Sequence, residues 1–224
     1  MVTAKPSLQL WEQFNRLDLG SHSEVREFGP RYNFRHLVGG KWVLLVAGGR
    51  INDQAAKDLE GYQSLLRLAA SSAVGLTEAI RQGDKARALK EADEIQTATT
   101  AIFKDDLTGP GLAISVGESG FPRLYKCFLP FDLAGKQVNT IGTVLADFID
   151  SLEANQPILK CNCCRNDFVA SLSTAGAKFG GRQTKHAFCE VCKQRPDLTD
   201  YMRRDRAQYF RERRERVRKQ GKGR

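Results

Sequence analysis

The sequence predicts an α+β fold: a mostly helical N-terminal domain with a small strand pair, then a small four-cysteine module, then a basic C-terminal helix. Three observations lead there. Apolar residues recur at helical spacing through most of the first 156 positions, glycine-bounded apolar runs interrupt them, and five of six cysteines crowd into residues 161–192. The expected boundaries are 1–156 for the helical domain, 157–196 for the cysteine module and 197–224 for the basic helix and tail.

Taken in order, residues 7–18 (Ser-Leu-Gln-Leu-Trp-Glu-Gln-Phe-Asn-Arg-Leu-Asp) read as a short amphipathic helix. Between Tyr32 and Gly49, two apolar runs split by Gly39-Gly40 fit a hairpin. Asn52 or Asp53 then caps a long helix to about Gln82, with Leu59, Tyr62, Leu65, Leu66 and Leu68 along it. Gly83-Asp84 breaks that helix and caps a second, which ends near Phe103; so short a joint lays the two antiparallel. After Thr108-Gly-Pro-Gly111, residues 112–116 and 123–129 read as paired strands around a glycine-rich turn. A helix over about 133–152 places Val138, Ile141, Val144, Leu145, Phe148 and Ile149 on one face, and Asn155-Gln-Pro157 ends it.

Composition narrows the class of protein. Of 224 residues, 27% are charged and 41% hydrophobic, which are globular values and exclude wholesale disorder. The densest apolar run, Trp42 to Ala47, falls far short of the roughly 20 residues a membrane helix needs. The opening Met-Val-Thr-Ala-Lys-Pro lacks a charged region followed by an apolar core, so a cytoplasmic protein without membrane partners is expected.

The net charge of +9 is concentrated at one end. Residues 203–224 hold nine Arg and two Lys against Asp205, Glu212 and Glu215, a balance of +8, which leaves +1 for all the rest. A near-neutral body with a basic arm is the footprint of polyanion binding. Pro196 and Asp197 supply a helix start, and Leu198, Tyr201, Met202, Tyr209, Phe210 and Val217 follow at roughly helical spacing. Glu212 with Arg216 and Glu215 with Lys219 are well-oriented i,i+4 pairs. Arg203, Arg204, Arg206, Arg211, Arg213, Arg214, Arg216 and Arg218 are the candidate nucleic-acid contacts.

Cys161-x2-Cys164 and Cys189-x2-Cys192, with 24 residues between, have the spacing of a structural four-thiolate zinc site. A two-residue gap lets a tight turn aim both sulfurs at one ion, and two such turns complete a tetrahedron. With thiols kept reduced in the cytoplasm, a metal fits better than disulfides. The module's apolar mass (Phe168, Val169, Phe179, Phe188) is too small to fold unaided, so zinc holds a small, treble-clef-like unit together. Cys163 or His186 is an alternative ligand, and Cys127, in an apolar run, reads as a buried strand cysteine.

No enzyme is expected. A phosphate-binding G-x-x-x-x-G-K-[ST] loop is missing, Gly117-Glu-Ser-Gly120 lacks the full nucleophile elbow, and His22, His36 and His186 form no catalytic constellation. A zinc-braced nuclease of the HNH kind would rest on His186 alone.

The order of these features resembles bacterial proteins that join an ABATE-type domain to a CGNR zinc finger, a family regarded as stress-related transcription regulators that bind DNA. Phe168 stands four positions after Cys164 and Phe188 directly before Cys189, as aromatics do in that family. The name-giving motif aligns with Cys192-Lys193-Gln194-Arg195, keeping its first and last residues. The resemblance implies DNA as partner, with the N-terminal domain as sensor or homodimer interface. RNA or ribonucleoprotein binding is the alternative, with Tyr201, Tyr209 and Phe210 available to stack on bases; a protein adaptor, with zinc and arm as structural parts, ranks below both.

Overall fold

The computed structural model describes residues 8–32, 34–38, 41–103, 110–128, 140–154, 156–170 and 187–198, with the single positions Asp200, Arg211 and Arg214. These residues form a mixed fold of helices, small antiparallel strand pairs and a four-cysteine cluster. No helix among them is long and apolar enough to cross a membrane.

Helix α1 (Leu10–Arg16) lies inside the stretch its apolar spacing predicts and buries Trp11 and Phe14 completely. The pattern predicts no helix next, yet α2 (His22–Arg31) forms there. Pro30 falls in the helix's last turn, and Gly29 serves packing. A Cβ on Gly29 would stand 2.7 Å from Val46 Cγ2, so glycine lets α2 close onto the strand beside it.

The predicted hairpin is β1 (Arg35–Val38) with β2 (Lys41–Leu44), Val38 opposite Lys41. A second ribbon, unpredicted, follows at once: β3 (Val46–Ala47) and β4 (Arg50–Ile51) turn through Gly48 and Gly49, at φ 55° and 76°. Two successive positive φ values are what a tight two-residue hairpin turn demands, and glycine adopts them without strain.

Helix α3 (Asp53–Gln82) begins as expected, Asn52 Oδ1 accepting the Ala55 N–H at 3.0 Å. It ends at Gly83 in the left-handed conformation, after which the Asp84 N–H returns to the Ala79 carbonyl. The Asp84 side chain then accepts the Arg87 N–H and starts α4 (Lys85–Phe103). The helices run antiparallel: Ser72 donates to Glu94, and one turn further along α3, Gly75 faces Glu91. Buried alanines (Ala69, Ala73 and Ala79 on α3; Ala88, Ala92 and Ala98 on α4) let their axes approach.

Strands β5 (Pro110–Val116) and β6 (Pro122–Phe128) pair antiparallel as predicted, and α5 (Thr140–Glu153) buries Ile141, Val144, Leu145, Phe148 and Ile149 on one face. The expected start of α5 near Leu133 lies outside the described residues. Cys127 stands on β6 opposite Gly111; its side chain is also outside them. Trp11 meets Phe148 edge-on at 5.2 Å between centroids, and Phe14 stacks on Phe34 at 5.9 Å, so α1 knits α5 to the rest of the core.

A last hairpin, β7 (Ile158–Lys160) with β8 (Asp167–Val169), has two apolar faces. The opposed pair Ile158 and Val169 joins the main core, whereas the next pair, Leu159 and Phe168, joins a separate cluster around the cysteines. Strand alternation thus makes this hairpin a wall shared by the body and the cysteine module.

Candidate metal centre

Cys161 follows β7 directly, and the chain turns tightly back to β8: the Cys161 N–H donates to the Asn166 carbonyl at 2.9 Å and the Arg165 N–H to the Cys161 carbonyl at 3.0 Å. Cys189 is the N-cap of α6 (Glu190–Lys193), and Cys192 lies within that single turn. The halves are stitched together, the Asn162 N–H donating to the Ala187 carbonyl at 2.9 Å and the Cys189 N–H to Cys161 Sγ at 3.4 Å.

The Sγ atoms of Cys161, Cys164, Cys189 and Cys192 all lie within 4.8 Å of one another. None of the four is in a disulfide, and all but the half-buried Cys164 are buried. A tetrahedral ion with metal–sulfur bonds of about 2.3 Å needs sulfur–sulfur edges of about 3.8 Å. Cys164 and Cys189 are 3.7 Å apart. The donor set therefore fits one metal ion.

Electrostatics point the same way. Burial pushes the Cys161 thiol up, but N–H groups of Cys189, Cys164 and Cys163 outweigh it and bring the thiol down to about 7. Burial, then its thiol neighbours, hold Cys192 far above the ordinary thiol range. Four thiolates repel one another in this space, and a dication removes the conflict.

Two arginines flank the cluster. Arg195 donates to Cys163 Sγ at 3.4 Å and pairs with Asp197 at 2.6 Å. Cys163 is not one of the four clustered sulfurs; it stands at their edge, beside Cys192 and the Arg195 guanidinium. Arg16, reaching over from α1, has buried Nε and Nη2 atoms with no hydrogen-bond partner among the described residues. Burial works against its charge, yet the nearby Cys189 and Cys164 sulfurs raise its pKa above the ordinary arginine value. A dication with four thiolates carries two net negative charges, which these guanidinium groups stand beside. Glu12, also on α1, accepts the Val169 N–H at 2.7 Å and holds the hairpin to the body.

Arg16 and Glu12 carry no sequence signal for these roles. On a short amphipathic helix they look like an ordinary polar face. Of the predicted arm residues, Arg211 and Arg214 are helical and exposed, one turn apart; Leu198 and Asp200 before them are helical too. Arg203, Arg204, Arg206, Arg213, Arg216 and Arg218 lie outside the described residues, as does His186. In comparisons with known proteins, no family model, no curated protein and no solved structure matches the chain.

Proposed function

We propose that the ion is zinc, that the module is a treble-clef-like zinc finger, and that the protein binds DNA as a transcription regulator of the kind the CGNR resemblance implies. Four thiolates in a closed, buried tetrahedron suit zinc in a structural role, with no coordination position left for substrate. The observation that carries the reading is the +8 of residues 203–224, set directly behind the metal module. A rigid module gives an arginine-rich helix a defined exit direction. Phosphate contacts along it supply affinity, and base readout needs a few guanidinium forks aimed at guanine. The N-terminal domain then serves as sensor or dimer interface.

Elemental analysis beside a salt-titrated duplex-binding assay tests this. About one zinc per chain is expected, and with about five phosphate contacts log K falls against log salt with a slope near −4 to −5. Truncation after Met202 abolishes binding, and Arg211→Ala with Arg214→Ala weakens it across all sequences. Binding that ignores salt, or no binding, refutes the reading. Structured RNA outcompeting duplex DNA at fixed salt shifts the partner to RNA.

A further inference from the structure

We propose that Arg165 is a phosphate-contacting residue of the nucleic-acid surface, presented by the metal-binding turn itself and separate from the C-terminal arm. The inference rests on the reading above.

Its first support is the backbone. Arg165 has φ 64° and is the one non-glycine residue with positive φ among those described. In that region the β-carbon crowds the following carbonyl, and glycine is the residue that escapes the cost. The chain uses glycine at Gly48, Gly49, Gly83 and Gly120, where φ is also positive. In the metal turn it keeps a long charged side chain instead.

The second support is charge. In the described parts of the module, 157–170 and 187–198, the bases are Lys160, Arg165, Lys193 and Arg195, and the acids are Asp167, Glu190 and Asp197. Each acid has a base nearest to it: Asp167 lies 4.0 Å from Lys160 without a hydrogen bond at that oxygen, Glu190 is 2.5 Å from Lys193, and Asp197 is 2.6 Å from Arg195. Arg165 is exposed and has no carboxylate partner among the described residues. A residue kept only for solubility would not need to sit where the backbone disfavours any side chain.

The third support is rigidity. Arg165 follows the ligand Cys164 directly, and its N–H is fixed to the Cys161 carbonyl at 3.0 Å. Its Cα is therefore held by the metal turn, and less freedom is lost when the planar guanidinium takes two phosphate oxygens.

The test compares Arg165→Gly and Arg165→Lys with the wild type in the full-length, metal-loaded protein, using a fluorescein-labelled DNA duplex of mixed sequence. Arg165→Gly is expected to keep its metal and to resist a chelator at least as well as wild type, because glycine relieves the backbone. It is also expected to bind about five- to tenfold more weakly at about 0.1 M salt, with the salt slope smaller by about 0.9. Arg165→Lys keeps the charge, so its salt slope stays at the wild-type value, but it loses the two-pronged fork and binds with an affinity between wild type and Arg165→Gly. Unchanged affinity and slope in Arg165→Gly overturn the proposal, and so does loss of its metal. If wild type itself leaves the duplex unbound, the broader reading fails and takes this one with it. If wild type binds and Arg165→Gly binds equally, only the role of Arg165 is lost.

Discussion

Removing the metal, by a tight chelator or by Cys189→Ser, should weaken the helical body as well as unfold the module. The shared hairpin couples the two parts, since its faces belong to both cores. Ile158 is 1% exposed and belongs to the body's core. Full burial of an isoleucine side chain contributes about 2–3 kcal/mol. The Val169 N–H donates to the Glu12 carboxylate at 2.7 Å, a charge-assisted bond worth about 1.5–3 kcal/mol. Losing both bounds the effect at about 6 kcal/mol. Part of the isoleucine contact survives as loose adsorption, so a loss of about 3 kcal/mol is expected. Urea denaturation followed by tryptophan fluorescence reads it, because Trp11 and Trp42 both precede the module in the chain. With a slope of about 2 kcal/mol per molar, the body's midpoint moves down by about 1.5 M. An unchanged midpoint refutes the coupling. Loss of any cooperative transition refutes the body's independence.

Three further substitutions test the packing of the body, two at α1 and one between α2 and β3. Gln63, buried on α3, donates from its one amide nitrogen to the Phe14 and Leu17 carbonyls at 2.6 and 2.8 Å; Gln63→Leu keeps the volume but strands both acceptors, costing about 2–4 kcal/mol in a urea titration, and a loss under about 0.5 kcal/mol would contradict this. Gly29→Ala drives a methyl group against Val46 and lowers stability by about 1–3 kcal/mol; a neutral or stabilising result means that α2 and β3 can part freely. Burial raises the Glu12 pKa, against the lowering effects of the Val169 N–H and Arg16. A raised carboxyl pKa favours folding at low pH, and that contribution disappears as pH rises through the folded-state value. Glu12→Gln, which keeps an acceptor for Val169, should therefore melt above wild type at pH 7, the difference shrinking as pH falls towards the ordinary carboxylate range. A variant that melts below wild type at pH 7 shows that Arg16 needs the charge.

Local signals made much of the body legible. Asn52, Gly83 and Asp84 announce helix ends because capping is a contact between near neighbours in the chain. The face Ile141–Val144–Leu145–Phe148–Ile149 announces α5 because burial follows helical period. Helix α2 was not legible, because Gly29 is there to admit Val46, a residue of another element. The β3–β4 ribbon has strands of two residues each, too short to leave a periodic pattern.

For the metal centre, the cysteine spacing by itself picked out Cys161, Cys164, Cys189 and Cys192, since two tight turns with paired thiols have few other uses, and it left Cys163 and His186 as alternatives. Tertiary structure brings the sulfurs of those four together and sets Cys163 beside Arg195. It also decided that Arg16 and Glu12, about 150 residues away in sequence, stand against the module, and that one hairpin serves two cores. The physical reason is range. Caps, turns and ligand pairs are settled within a few residues, whereas compensation of a buried charge depends on which distant groups the packed chain brings within a few ångströms.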